Sequence, residues 1–197
     1  VLLVRCLNSF LEDVGDQLPP ESRLSVLDLL GGVMKRTKAV NTDIEQRARL
    51  MALMQANGDL DPRDVLPDPP LIELERTAFE ALLGALKRAV GSQAKGGGGG
   101  EVGEKMADLL VSLCAGELET FLETSGKFGQ EECAYRRGIL HDSLSAVLDL
   151  PEALFRGNIV ALFTKLSQLI SCEHVTPEIL KVTSRIFQER ILDFIQA

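Results

Sequence analysis

The chain has 197 residues, of which 45% are hydrophobic and 5% aromatic, and it contains no tryptophan. Its formal net charge is −8, and it has no long stripe of lysine and arginine, which argues against nucleic acid or an anionic membrane surface as the main partner. A core built mainly from leucine, valine, isoleucine and alanine favours packed helices over a β-sandwich.

Apolar residues at helical spacing predict four helices before residue 95. The first covers residues 2–14, and the second begins near Pro20 and is expected to end or bend at Gly31-Gly32. The sequence TDIE at residues 42–45 has the form of a capping box, which predicts that a third helix begins there. That helix is expected to end at Asn57-Gly58, and a fourth is predicted over residues 71–90.

Five consecutive glycines at residues 96–100 interrupt the helical pattern, because glycine has the largest backbone entropy cost of any residue in a helix. We interpret residues 95–101 as a flexible linker, either natural or an engineered replacement for a longer loop. The linker separates an N-terminal helical half, residues 1–94, from a C-terminal half, residues 102–197. The two halves are expected to pack as one domain.

Four further helices are predicted, over residues 102–124, 130–149 and 151–171, and from Thr176-Pro177 onwards. The predicted fold is therefore all-α with about eight helices, either an irregular bundle or an armadillo- or HEAT-like stack of helical hairpins. The most apolar stretch, residues 159–170, is interrupted by Lys165 and Gln168 and is too short to span a membrane. No membrane insertion is predicted.

The most suggestive chemical cluster is Cys172-Glu173-His174. A thiolate and an imidazole at this spacing are suited to binding a metal or to forming a Cys/His nucleophilic pair. The alternative is an ordinary turn between two helices, and His141 is the only other histidine in the sequence. We favour the turn, and predict no catalytic residue, no cofactor and no metal site.

The four cysteines, at positions 6, 114, 133 and 172, show no close pairing motif. We interpret them as free, buried thiols, because each lies on an apolar helical face. The alternative is a pair of disulfides in an extracellular helical stalk. No N-glycosylation sequon is present, which agrees with a cytoplasmic location.

The last predicted helix is apolar on more than one face, so its side chains are expected to form either core or an interface. Its candidate partner-binding residues are Ile179, Val182, Ile186, Phe187, Ile191 and Phe194. The proline-rich loop at residues 61–70 is a second candidate for docking, and the alternative for it is a plain connection between helices.

These features favour a non-enzymatic scaffold or adaptor domain that binds another protein through an apolar helical surface. The sequence is expected to be part of a longer protein. Two other classes stay open: an enzyme or metal protein that uses Cys172 and His174, and an extracellular stalk. The oligomeric state and the identity of the partner do not follow from the residues.

Overall fold

The computed structural model describes residues 1–14, 17–58, 71–95, 101–124, 126 and 130–192. Within these ranges the regular elements are seven α-helices and a π-helical turn, with no strand, which confirms the predicted all-α class. The chain divides into two compact units, Val1–Leu82 and Leu83–Ala197. Residues 96–100 and the proline-rich loop at residues 61–70 lie outside the described ranges, so the predicted linker and the predicted halves stay predictions.

The N-terminal unit contains α1 (Leu2–Val14), α2 (Pro20–Ala56) and the first part of α3 (Ile72–Lys95). Helix α2 is 37 residues long. Its buried side chains recur every three or four residues and so form one face of a single helix. They are Leu27, Leu30, Met34, Thr37 and Asn41.

This continuous buried face corrects two predictions about α2. The helix neither ends nor bends into two elements at Gly31-Gly32, and no new helix begins at Thr42. Leu30 and Met34 are buried on either side of the glycine pair, and their packing outweighs the low helix propensity of glycine. The Thr42 hydroxyl donates to the Lys38 carbonyl oxygen (3.0 Å), as a threonine inside a helix does, instead of capping a new one.

The end of α2 agrees with the prediction. Asn57 is the C-terminal cap, and Gly58 follows with φ of +79°, a left-handed conformation that glycine adopts without steric cost. No side chain from residue 42 to residue 58 is fully buried, and the apolar side chains of Ile44 and Met51 are half-buried. The last four turns of α2 therefore contribute little to the core of the N-terminal unit.

A buried polar link joins α2 to the start of α3. Asn41 and Glu75 are each 1% exposed, and the Asn41 amide nitrogen donates to a Glu75 carboxylate oxygen at 2.5 Å. The backbone N–H of Leu71 donates to the Asn41 side-chain oxygen at 2.6 Å. Asn41 therefore satisfies one of the amide groups that the start of a helix leaves without an intrahelical partner.

Replacing Asn41 by alanine is expected to lower the free energy of unfolding by about 1–3 kcal/mol, because it removes two hydrogen bonds at a buried site. Thr42→Ala is the matched control: the neighbouring side chain is exposed, and its loss is expected to change stability by less than about 0.5 kcal/mol. Urea unfolding followed by circular dichroism measures both. Equal effects of the two substitutions would contradict the assigned role of Asn41.

The C-terminal unit contains the rest of α3, then α4 (Glu101–Thr124), α5 (Gln130–Leu148), α6 (Glu152–Ile170), α7 (Pro177–Ile186) and the π-helical turn Phe187–Ile191. Helix α4 packs against both α5 and α6, and α5 packs against α7. These bounds agree closely with the predicted ones. The largest side chains buried in this unit come from all of α3 to α6 and include Leu86, Met106, Leu110, Leu118, Phe121, Leu140, Leu144, Phe155 and Leu162.

The predicted helix starts in this unit are also present. Pro151 is the N-terminal cap of α6 and has an extended backbone conformation. Helix α6 therefore begins at Glu152, one residue later than predicted. Thr176 is the N-terminal cap of α7, and Pro177 occupies the first turn. Proline suits such a position because its missing N–H would have no intrahelical acceptor there.

Candidate protein-docking surface

The candidate partner-binding residues of the last helix are mostly buried inside the C-terminal unit. Ile179, Val182, Ile186 and Ile191 have exposed fractions of 1%, 8%, 0% and 5%. Phe187 is half-buried, and Phe194 lies outside the described residues. The structure therefore places four of the six in the core, and among the described members Phe187 alone has a partly accessible ring.

Arg190 fixes this last segment onto the unit. Its Nε and Nη2 atoms donate to the Leu148 carbonyl oxygen at 3.1 and 2.8 Å, and Nη2 also donates to the carbonyl oxygen of Leu150. Its Nη1 atom donates to a Glu152 carboxylate oxygen at 3.0 Å. The guanidinium carbon lies 5.2 Å from the centroid of the Phe155 ring. One side chain thus connects the end of α5, the start of α6 and the π-helical turn.

The carboxylate of Glu152 is held in its charged form by two arginines. The pKa of Glu152 is lowered from its ordinary value, first by the hydrogen bond from Arg156 and further by the charges of Arg156 and Arg190. Arg156 Nε lies 2.7 Å from a Glu152 carboxylate oxygen. Because Glu152 belongs to the first turn of α6, its negative charge also interacts favourably with the helix dipole. This pairing is structural and offers no proton for chemistry near neutral pH.

The ring of Phe187 packs against the ring of Phe163 on α6. The ring centroids of Phe163 and Phe187 are 5.9 Å apart, and the planes are inclined by 69°, an edge-to-face arrangement. Phe163 remains 45% exposed, and further exposed apolar side chains follow on the same helix: Val160 at 79% and Ile170 at 52%. The pair therefore forms part of a larger exposed apolar area.

We call this area the α6 surface and define it by Val160, Phe163, Ser167, Ile170 and Phe187. Positions 160, 163, 167 and 170 are three, four and three residues apart, so they lie on one face of α6 along a length of about 15 Å. Ser167 is exposed between the apolar residues, and its hydroxyl donates to the Phe163 carbonyl oxygen. The surface combines aromatic, aliphatic and neutral polar groups.

The α6 surface is also poor in charge. From residue 157 to residue 172 the sequence contains one charged residue, Lys165. The Lys165 ammonium group donates to the Ala115 carbonyl oxygen (3.2 Å) and to a Glu119 carboxylate oxygen (2.9 Å), which ties it to α4. In a chain with 25% charged residues, an exposed helix face without a freely projecting charge is unusual, and depletion of charge is typical of the centre of protein interfaces.

The Cys172-Glu173-His174 cluster occupies the turn between α6 and α7, as the ordinary alternative predicted. Cys172 is half-buried and His174 is exposed, and the Arg137 guanidinium donates to the His174 carbonyl oxygen at 3.2 Å. Across the described ranges, no three or more His, Cys, Asp or Glu side chains come together as a potential metal site.

The prediction of free, buried thiols agrees with the structure at Cys114 but not at Cys6, which is exposed. Cys114 is a free thiol at 0% exposure on α4, as expected, and burial, followed by the nearby charge of Glu117, raises its pKa well above the ordinary value. A protonated, inaccessible thiol is unreactive. Cys6 is also free but exposed, because it lies on the side of α1 that the unit does not cover. Cys133 has no described side chain.

No helix among the described residues combines the length and the apolar character needed to cross a membrane. The apolar stretch at residues 159–170 instead divides between core and surface. Ile159, Leu162, Leu166 and Leu169 are buried, whereas the α6 surface carries the exposed members. The lack of charge in this stretch was the feature of the sequence that could have indicated an exposed apolar surface.

A family profile matches residues 1–188, almost the whole chain, and its description is BIG2 C-terminal domain. The chain belongs to the BIG2 C-terminal domain family. Because the match covers both units, the all-helical structure described above is that of a BIG2 C-terminal domain. No solved structure gives a significant match to it.

Two curated relatives come from Arabidopsis thaliana. The chain is 27% identical over 201 aligned positions to brefeldin A-inhibited guanine nucleotide-exchange protein 2, with 91% of this chain covered. It is 24% identical over 178 positions to brefeldin A-inhibited guanine nucleotide-exchange protein 3, with 84% covered. The matched segments are 11% and 10% of those two proteins, so the chain spans about a tenth of their length.

Proposed function

We propose that this BIG2 C-terminal domain is a non-enzymatic scaffold that docks another protein within a longer guanine nucleotide-exchange protein. The observation that carries the proposal is the α6 surface, where Val160, Phe163 and Ile170 are exposed on a face without a freely projecting charge. The family match and the much greater length of the relatives support its role as one domain among several.

The dimensions of the α6 surface suit a helix of the partner protein. Its apolar residues extend along three turns of α6, which is the length over which an amphipathic helix presents anchors at i, i+3 or i+4, and i+7. Phe163 and Phe187 offer an aromatic centre, and aromatic residues are enriched among those that dominate binding energy. Ser167 and its exposed neighbour Thr164 supply neutral polar groups of the kind found in interfaces that form and dissociate.

This proposal changes the residues to which partner binding is assigned. Of the six residues first considered on the last helix, Phe187 belongs to the α6 surface. Partner binding is not assigned to the four buried members, which are Ile179, Val182, Ile186 and Ile191. A cytoplasmic location is part of the same proposal and is supported by the names of the relatives, which describe exchange of a guanine nucleotide.

Site-specific photo-crosslinking tests the proposal. A photoreactive amino acid at Val160, in the complete protein that contains this chain, is expected to give a discrete crosslink to a helical segment of another protein. Phe163→Glu is expected to reduce the crosslink yield at least about tenfold, because it places a charge at the centre of an apolar contact. Circular dichroism confirms that the variant is folded.

Leu53→Glu is the matched control, because Leu53 is a 63% exposed apolar residue of α2 in the other unit. Its substitution is expected to leave the crosslink from Val160 unchanged. The proposal is wrong if the crosslink survives Phe163→Glu, if the two substitutions weaken it equally, or if Val160 crosslinks only to solvent or to its own chain.

A further inference from the structure

Helix α1 is apolar over more of its circumference than the described part of the chain covers. Val4 and Leu11 are 4% and 6% exposed and form its buried side. On another side, Leu2 is 78% exposed, Leu3 73% and Phe10 46%. Three large apolar side chains on a helix of 13 residues thus remain in contact with solvent in this chain.

The exposed apolar residues lie together on the helix. With 3.6 residues per turn, positions 2, 3, 6 and 10 fall within an arc of about 100°, on the side away from Val4 and Leu11. Cys6 lies inside this arc and is exposed. We call Leu2, Leu3, Cys6 and Phe10 the α1 outer face. Half-buried Leu7 lies between this face and the buried side, so the two apolar areas are continuous.

Three polar residues of α1, Arg5, Asn8 and Glu12, occupy the remaining side and have partners within the unit, whereas the exposed Asp13 lies within the arc of the outer face, about one turn beyond Phe10. The Arg5 guanidinium donates to a Glu73 carboxylate oxygen on α3 at 3.0 Å, and the Asn8 amide donates to a Glu12 carboxylate oxygen at 3.0 Å. Ordinary surface pairs therefore account for Arg5, Asn8 and Glu12 on the polar side of α1. Among the described residues, none is shown to pair with or cover the apolar outer face.

The outer side of a surface helix is normally polar, because that side faces water. A helix that is apolar on two sides is typical of a position between two layers. The α1 outer face thus has the composition of an internal contact.

We propose that the α1 outer face packs against another helical segment of the same polypeptide, outside these 197 residues. The inference rests on the proposal that this chain is one domain of a longer protein, and it is independent of the α6 surface. The matched relatives supply the reason for this occupant: the aligned segments are only 11% and 10% of their length. A segment of the same polypeptide also covers an apolar face without the entropy cost of bringing two molecules together.

The Cys6 thiol provides a direct probe of the α1 outer face. In the purified complete protein, the rate of Cys6 alkylation by a maleimide is measured by peptide mass spectrometry. The control is a Cys6→Ser, Ser9→Cys double variant, which moves the thiol to the exposed polar side of the same helix. Cys6 is expected to react at least about tenfold more slowly than the thiol at position 9, because the covering segment must open first.

A second variant tests whether packing causes the protection. Leu3→Glu together with Phe10→Glu is expected to restore fast labelling of Cys6, while an unchanged urea unfolding transition shows that the N-terminal unit, which contains α1, remains folded. Protection of Cys6 that is independent of protein concentration identifies a segment of the same polypeptide. Equal labelling rates at positions 6 and 9, or protection that disappears on dilution or requires a second protein, would overturn the proposal. The labelling rate of Cys6 does not depend on the α6 surface, so loss of the Val160 crosslink would not change it.

Discussion

Ile186→Ala is expected to lower the free energy of unfolding of the C-terminal unit by about 2–5 kcal/mol. Ile186 is 0% exposed, and its removal leaves a cavity beside Ile179 and Val182 on the same buried side of α7. Phe187→Ala, one residue further on, is expected to cost less than Ile186→Ala, because the Phe187 ring is only half-buried. Urea unfolding monitored by circular dichroism and by proteolysis of the C-terminal unit measures both changes.

Val160→Ala is the control for an exposed apolar residue and is expected to change stability by less than about 0.5 kcal/mol. The ranking of the three substitutions distinguishes a core role from a surface role along the last helix. A loss at Ile186 no larger than that at Val160 would show that the last helix is not held in the core.

Arg190→Ala is expected to lower the free energy of unfolding by about 2–4 kcal/mol, because several charge-assisted hydrogen bonds are lost together. The substitution leaves the carbonyl groups of Leu148 and Leu150 without their guanidinium donor and removes one partner of Glu152. The Arg190 side chain is only 18% exposed, so solvent replaces these bonds incompletely. Chemical unfolding gives the magnitude, and hydrogen exchange at the end of α5 shows whether the loss is local.

Two substitutions control this result. Arg190→Lys keeps the charge but not the planar fork, and is expected to recover less than half of the lost stability, because one ammonium group does not reproduce the same set of bonds. Arg185→Ala removes an exposed pair with Glu189 and is expected to lower stability far less than Arg190→Ala, because solvent screens the exposed pair. Equal losses for Arg190→Ala and Arg185→Ala would contradict the role given to Arg190.

The helices of the C-terminal unit could be predicted well from the residues because local signals and packing agree there. Thr176-Pro177 has the chemistry of a helix start, and apolar residues recur at helical spacing along α4 and α6. Each signal depends on neighbours in sequence. Where local preference and tertiary burial indicate the same structure, reading a single sequence is sufficient.

The errors occur where tertiary packing opposes a local signal. Gly31-Gly32 and Thr42 both favour a break, yet α2 continues because Leu30, Met34 and Asn41 bury one uninterrupted face. The contact that holds the end of this face, from Asn41 to Glu75, joins residues 34 positions apart. Hydrophobic periodicity within one helix contains no information about such a pairing.

The candidate surface was missed for a related reason. An all-round apolar helix has two explanations, core or interface, and sequence alone does not say which helix lies at the edge of the unit. The last helix is largely core, whereas α6 has the exposed side, with Phe163 lying against Phe187 between them. The absence of charge from residue 157 to residue 172, apart from Lys165, was the one sequence feature that distinguished α6.

The measurement that tests the central claim most directly is the dissociation constant for the partner identified by the Val160 crosslink. It is determined for the native protein and for the Phe163→Glu and Leu53→Glu variants, each shown to be folded. The account predicts at least about tenfold weaker binding for Phe163→Glu and unchanged binding for Leu53→Glu. Unchanged binding for Phe163→Glu, or an equal loss for both variants, would contradict docking through the α6 surface.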